Sequence, residues 1–249
     1  MRKYGLIGKS LGHSFSKTFF NEKFKKEKIE DVEYLNFPLE KVEDFEALCQ
    51  GDNKIRGFNV TIPYKESIVK YLDALSDAAR ETQAVNTICY CKKSDHKALI
   101  GHNTDVTGFR KSLNEHITEA PKRALVLGTG GSSKAVKYVL EEFGTDIISV
   151  SSSGKEGAIA YKDITKEHVD SVTLIINTTP LGMYPNADAC PYIPYEYLNE
   201  KHLLFDLVYN PEETLFMKRG KEKNAKTVNG HDMLIYQAEA SWEIWNRNK

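Results

Sequence analysis

Apolar positions along this chain follow two rhythms, and their order sets the architecture. Tyr4-Gly5-Leu6-Ile7-Gly8 reads as a short strand, and Lys9 to Gly12 as a loop. A helix carrying Phe19, Phe20 and Phe24 follows. Val60 and Ile62 alternate with Asn59 and Thr61, the signature of a strand end with one polar face. Pro63 has no N–H and ends the ladder there. Beyond it Ile68, Leu72, Leu75 and Ala79 recur at the spacing of one buried helical face, which predicts a helix with Lys65 just inside its N-terminus. Ala84 to Tyr90 returns as a strand, Lys92-Lys93-Ser94-Asp95 reads as a turn, and Ala98 to Gly101 as the hairpin partner.

From Ala124 onward the rhythm changes to short, nearly continuous apolar runs. Ala124 to Leu127, Asp146 to Val150, Leu174 to Asn177 and Leu203 to Val208 predict a parallel sheet covered on both faces. Ala135, Val136, Val139, Leu140 and Phe143 mark one face of the helix after the first of these strands. A short helix over Thr214 to Arg219 is expected to stop at Gly220. Leu234, Ala238, Ser241 and Trp245 stripe a closing helix.

Composition narrows the class. At 249 residues the chain holds one large domain or two ordinary ones. With 34 basic and 35 acidic residues its net charge is −1, so no global field draws in nucleic acid or a membrane. No apolar run approaches the roughly 20 residues that span a bilayer, and the N-terminus enters a strand directly, without a leader pattern. Cys49, Cys89, Cys91 and Cys190 show no metal-ligand spacing and are expected to be reduced, mostly buried thiols. These features predict a cytoplasmic protein with no bound metal.

Candidate chemistry gathers at element ends. Asn59, Thr61 and Lys65 meet at a strand end. A helix N-terminus there lowers a lysine pKa, whereas an ordinary surface lysine is the plainer reading. Ser14 and Ser16 stand at the entry to the first helix. One hydroxyl serves as a cap, and the second is equally suited to seating a carboxylate. Asn86 interrupts an apolar strand, and Asp105 follows another, where an Asp commonly caps the next helix. If these strands share one sheet, Lys65, Asn86 and Asp105 converge. Gly128-Thr129-Gly130-Gly131-Ser132-Ser133, between strand and helix, is the context of a dinucleotide-binding turn, with Ser133 in place of its third glycine. The following strand ends in Ser151-Ser152-Ser153-Gly154-Lys155 and lacks the acidic residue that reads an adenosine ribose. Hydroxyls with a cation suit a 2′-phosphate, and a flexible loop without a role is the alternative. Gln237 lies on the flank of the closing helix.

Taken together these motifs resemble the shikimate dehydrogenase family end to end. The resemblance rests on Ser14-Phe15-Ser16, Asn59 through Lys65, Ala84-Val85-Asn86-Thr87, Asn103-Thr104-Asp105 with Gly108, Gly128 through Gly131, Asn177 through Met183, Asp206 through Pro211, and Gly230 through Gln237. It implies an α/β protein in which residues 1–105 with 231–249 form a substrate-binding and catalytic domain. Residues 106–230 would form a Rossmann-like doubly wound parallel-sheet domain for the dinucleotide, with a cleft between the two.

The activity implied is reversible NADPH-dependent reduction of 3-dehydroshikimate to shikimate, in the route to aromatic amino acids. By matching motifs, Lys65 and Asp105 would be catalytic, and Ser14, Ser16, Thr61, Lys65, Asn86, Asp105, Tyr209 and Gln237 would hold the substrate. Gly128, Thr129, Gly130, Gly131, Ser132, Ser151, Ser152, Ser153, Lys155, Leu207 and Gly230 would hold the cofactor, with Asp77 beside it. The family's cofactor loop usually carries an Asn-Arg-Thr type sequence where this chain has Ser151-Ser152-Ser153. No acidic residue replaces the arginine, so NADP is expected ahead of NAD. Gln83 stands where a glycine commonly precedes Ala84. A small-molecule substrate and a monomer or homodimer are expected. The rival readings are a quinate/shikimate dehydrogenase with relaxed cofactor use, a catalytically idle ligand-binding relative, and a reductase of another small metabolite.

Overall fold

The computed structural model describes residues 1–12, 15–93, 96–154 and 157–247, without the side chains of 92, 93, 96 and 97. It divides into two compact units, Met1–Thr107 with Gln237–Lys249, and Gly108–Tyr236.

The first unit opens with β1 (Arg2–Gly8), α1 (Phe15–Lys26), β2 (Val32–Pro38), α2 (Phe45–Gly51) and β3 (Ile55–Val60). After β3 come β4 (Ala74–Leu75), α3 (Asp77–Thr82), β5 (Thr87–Lys93), β6 (His96–His102) and the start of α4 (Thr104–Asn114), which belongs to the second unit from Gly108 on. The strands form one sheet in the order β2-β1-β3-β5-β6-β4. β1 pairs parallel with β2 and β3, whereas β3–β5 and β5–β6 are antiparallel. Alternation along the strands sends side chains to opposite faces. Tyr4, Leu6, Tyr34 and Cys89 join Phe20, Phe24, Trp242 and Trp245 in one cluster, and Ile7, Phe58, Val60 and Ile88 join Phe45 and Ile68 in another. A Cβ at Gly57 would lie 2.3 Å from the Trp245 indole nitrogen, so only glycine admits the ring that donates to Ile88 O at 3.0 Å.

The helix expected after Lys65 does not form. Ser67–Tyr71 makes only a 3₁₀ turn, and Leu72 leaves in extended conformation. The edge of β6 captures the segment: Asp73 N donates to Leu99 O, Leu99 N to Asp73 Oδ2, and Ser76 N to Gly101 O. Pairing with a sheet edge outweighs helical periodicity here, and α3 starts afresh with Ser76 as its cap, accepting from Ala79 N. Leu72 and Leu75 still pack against the core, which is why their spacing looked helical.

The second unit carries β7 (Arg123–Leu127), α5 (Gly131–Glu142), β8 (Asp146–Ser151), β9 (Ile159–Ala160) and α6 (Lys166–Asp170). It continues through β10 (Leu174–Asn177), β11 (Leu203–Asp206), α7 (Leu215–Lys221) and β12 (Lys226–Val228) into α8 (His231–Arg247), whose end returns to the first unit. Its sheet is wholly parallel, in the order β12-β11-β10-β7-β8-β9. Successive strands therefore build outward from β7 in both directions, the doubly wound arrangement, with the switch between β7 and β10. Gly220 does not stop α7 but lies inside it, because a Cβ there would meet Leu204 Cδ2 at 2.6 Å. The four cysteines form no disulfide, and only Cys89 is buried; the others are half-buried, against expectation. Among the described residues no helix is long and apolar enough to cross a membrane.

Candidate active site

The polar strand ends of the first unit converge. β3 delivers Asn59, and Thr61 continues its line by donating its N–H to Ile7 O at 2.8 Å. The chain then turns, with Tyr64 N donating to Thr61 O and the buried Tyr64 hydroxyl anchored on Leu39 O at 2.6 Å. That anchor sets Lys65, whose carbonyl accepts from Val85 N at 2.7 Å and ties the turn to the approach of β5. Asn86 is locked between strands: its N–H donates to His102 O, and its carbonyl accepts from Val60 N.

The side chains then meet directly. Lys65 Nζ donates to Asp105 Oδ2 at 2.6 Å, and Asn86 Nδ2 donates to Asp105 Oδ1 at 2.9 Å. The same amide nitrogen reaches Gln237 Oε1 at 3.2 Å, 151 positions along the chain. Asp105 occupies the first turn of α4, where the helix dipole favours an anion. Asn86, Asp105 and Gln237 are buried and Lys65 is half-buried. Burying an ion pair is costly unless its remaining atoms are hydrogen-bonded, and here both carboxylate oxygens are occupied. The arrangement presents an ammonium of fixed position beside amides that both donate and accept.

Other expected residues take varied places. Ser16 is the second residue of α1 rather than a cap, and its hydroxyl lies near that of Tyr34. Burial pushes the Tyr34 phenol well above its ordinary pKa, with the Ser16 contact opposing, and the hydroxyl donates to Asn59 Oδ1 at 2.8 Å. Tyr34 escaped the sequence reading because it sits in an unremarked strand. Thr61 is half-buried at the end of β3. Asp77 stands exposed at the start of α3, paired with Arg80 at 3.0 Å. Ser14 and Lys155 lie outside the described residues, as do Ser94 and Asp95 of the expected turn, which the pairing of β5 with β6 brackets.

In the second unit the glycine turn follows β7 as expected. Gly128 adopts φ +110°, and a Cβ there would stand 2.6 Å from Thr178 Oγ1. Ser133, where the third glycine was expected, is fully buried and donates its hydroxyl to Gly128 O at 2.8 Å, bracing the turn. Gly130 caps α5, and a Cβ on it would enter open space. With Thr129, Gly131 and Ser132 it exposes the N-terminal N–H groups of a 12-residue helix, a seat for an anion. At the end of β8 Ser151 is buried, while Ser152 and Ser153 are exposed.

Leu207 and Tyr209 leave the end of β11 half-buried, and burial raises the Tyr209 phenol. Gly230 packs on Leu207, since a Cβ would come within 2.1 Å of Leu207 O. Asp206 organises this segment. Its carboxylate accepts from Asn177 Nδ2 at 2.9 Å, Val208 N at 3.0 Å and the Thr214 hydroxyl at 2.6 Å. Burial lifts its pKa to about 6 against those hydrogen bonds. Its position as a carboxylate ending an apolar strand was the available signal.

Comparison with known proteins agrees with this layout. Residues 6–88 match the family described as shikimate dehydrogenase substrate binding domain. A Clostridium beijerinckii protein named shikimate dehydrogenase (NADP+) is 42% identical over 255 residues, covering 98% of this chain and 92% of that protein. The chain belongs to the shikimate dehydrogenase family. A solved shikimate dehydrogenase in complex with NADP+ superposes with a TM-score of 0.84 at 35% identity, over 98% of this chain and 90% of that one. The Listeria monocytogenes shikimate 5-dehydrogenase, solved in complex with shikimate and NAD, gives a TM-score of 0.84 at 27% identity, over 100% and 93%. The two sheets correspond to the mixed α/β architecture of that family.

Proposed function

We propose that this protein catalyses the reversible NADPH-dependent reduction of 3-dehydroshikimate to shikimate, the shikimate-pathway step toward aromatic amino acids. The observation that carries this reading is the cluster of Lys65, Asp105, Asn86 and Gln237, joined by contacts of 2.6, 2.9 and 3.2 Å. On this reading the unit holding that cluster binds substrate and the doubly wound unit binds the dinucleotide.

Ser14 and Ser16 donate to the substrate carboxylate without a buried countercharge. Thr61, Asn86, Asp105 and Gln237 fix the ring hydroxyls, each through atoms of known donor or acceptor type. NADPH supplies the hydride when bound. As negative charge builds on the C3 oxygen, Lys65 Nζ donates to it and delivers the proton, while Asp105 holds the ammonium in place. The glycine turn fits the pyrophosphate: Gly128, Thr129, Gly130, Gly131 and Ser132 supply N–H groups, and the open space over Gly130 leaves room for the phosphates. Leu207 and Gly230 line the cofactor's other end, and Ser151, Ser152, Ser153 and Lys155 meet the adenosine 2′-phosphate.

A second reading, relaxed use of NAD, draws on the exposed serines at 152 and 153, which offer hydroxyls but no guanidinium. Initial rates of shikimate oxidation with saturating NADP⁺ and then NAD⁺ decide. A clear NADP⁺ preference supports the proposal, comparable rates support relaxed use, and no rate with either removes the enzyme reading.

A further inference from the structure

Behind the cluster lie three hydroxyls to which neither the resemblance nor the proposed chemistry gives a role. Thr87, Thr104 and Ser241 are at most 2% exposed and come from β5, α4 and α8. Their oxygens form a triangle: Thr87 to Ser241 at 2.7 Å, Thr104 to Ser241 at 3.1 Å, and Thr87 to Thr104 at 3.2 Å.

Each hydroxyl has one proton, and counting them fixes the directions. Ser241 donates to Gln237 O at 2.9 Å, so the proton in its 2.7 Å contact with Thr87 comes from Thr87, whose oxygen also stands 3.2 Å from Asn86 Oδ1. Asn59 Nδ2 has two protons for three acceptors, Thr87 Oγ1 at 3.1 Å, Ser241 Oγ at 3.0 Å and Asn86 O at 3.1 Å, so one proton is shared. Thr104 then gives its hydroxyl proton to Asn86 Oδ1 at 3.1 Å, beside its own N–H at 2.7 Å. With both lone pairs of Oδ1 filled, the Asn86 amide has one orientation. Its NH₂ faces Asp105 Oδ1 and Gln237 Oε1. A flipped amide would put its carbonyl against the Asp105 carboxylate and strand two donors of Thr104.

We infer that Thr87, Thr104 and Ser241 are positioning residues that set the Asn86 amide, and through it Asp105 and Gln237, for substrate. None of the three touches substrate on this account; each acts through Asn86 or through the turn of α8 that carries Gln237. The inference rests on the proposed activity.

The test compares wild type with Thr87→Val, which keeps the shape and removes the hydroxyl, and Thr87→Ser, which restores it. Thr87→Val is expected to lower kcat/KM for shikimate about tenfold, with the KM for NADP⁺ unchanged, and Thr87→Ser to recover most of the loss. Ser241→Ala, which leaves no void at strand pairing, is expected to shift the same parameter in the same direction, and it serves if Thr87→Val folds poorly. Wild-type kcat/KM in both Thr87→Val and Ser241→Ala overturns the inference. So does a Thr87→Ser enzyme as weak as Thr87→Val, or a KM for NADP⁺ that rises in step. The rise in Tm caused by shikimate alone is measured in parallel. If wild type is stabilised by shikimate but does not turn over, the proposed reaction fails while a smaller rise in Thr87→Val still supports the positioning role. An equal rise in the two proteins overturns it.

Discussion

Lys65 Nζ stands 2.6 Å from Asp105 Oδ2, and the two side chains are only 15% and 8% exposed. An ion pair this sheltered is a poor source of stability, because desolvating both charges offsets most of their attraction. On the proposed mechanism its role is to hold an ammonium in one place for the developing charge on the substrate.

Removing Lys65 is therefore expected to separate activity from folding. Lys65→Ala should lower kcat/KM for shikimate roughly a hundredfold to ten-thousandfold, the range of a lost proton donor and charge stabiliser. Stopped-flow or steady-state rates with NADP⁺ check this, and a variant keeping most of its activity would remove Lys65 from the reaction.

Breaking the pair from either side leaves a sheltered charge without its counterion. Asp105→Leu should cost on the order of 3 kcal/mol in urea denaturation. Lys65→Met combined with Asp105→Leu should recover most of that loss while remaining inactive, since neither charge is then stranded. A double variant no more stable than Asp105→Leu would contradict the desolvation argument.

The glycine turn makes two different predictions at neighbouring positions. Gly128→Ala should destabilise the fold, because φ is +110° and the new Cβ would lie 2.6 Å from Thr178 Oγ1. Gly130→Ala meets no protein atom within 4 Å. It should leave Tm nearly unchanged and raise the KM for NADP⁺ at least about tenfold, the equivalent of about 1.4 kcal/mol. Equal behaviour of the two variants would argue against an anion seat at α5.

Asp206 gives the second unit a pH signature. Its folded pKa is about 6, against 3.8 for an ordinary Asp. Between those values the folded protein holds the proton more tightly than the unfolded chain, so stability falls as pH rises through the window. The contribution is fully present below about pH 3.8 and lost above about pH 6, a change on the order of 3 kcal/mol at 1.36 kcal/mol per unit. Asp206→Asn cannot titrate, and its unfolding free energy should vary less between pH 4 and 6.5 than that of wild type. Parallel pH curves for the two proteins would place the titration elsewhere.

The exposed serine loop can be given the missing cation. Ser152→Arg supplies a planar guanidinium suited to a phosphate, and should lower the KM for NADP⁺ several-fold while leaving that for NAD⁺ unchanged. An equal change for both cofactors would show that this loop does not read the 2′-phosphate.

The parts of this protein written in the sequence are those that depend on neighbours in the chain. Period-two alternation gave β3, a polar turn between two apolar stretches gave the hairpin of β5 with β6, apolar runs gave the parallel sheet, and the glycine turn announced α5. The stretch after Lys65 shows where that logic stops. Its helical spacing was real, yet β6 claimed Asp73 to Ser76 through hydrogen bonds that no local pattern reports. Convergence of Lys65, Asn86 and Asp105 was conditional on a shared sheet, and only strand pairing met the condition.

What the sequence determined by itself was the kind of element at each position, the residues at element ends, and the family those motifs mark. Tertiary structure decided the rest: the orientation of the Asn86 amide, the brace from Ser133 to Gly128, and the raised pKa of Asp206. The reason is physical. Backbone preference and amphipathic face are sums over a few adjacent residues. Hydrogen-bond direction and desolvation depend on groups brought together from afar, as Thr87 and Ser241 are across 154 positions.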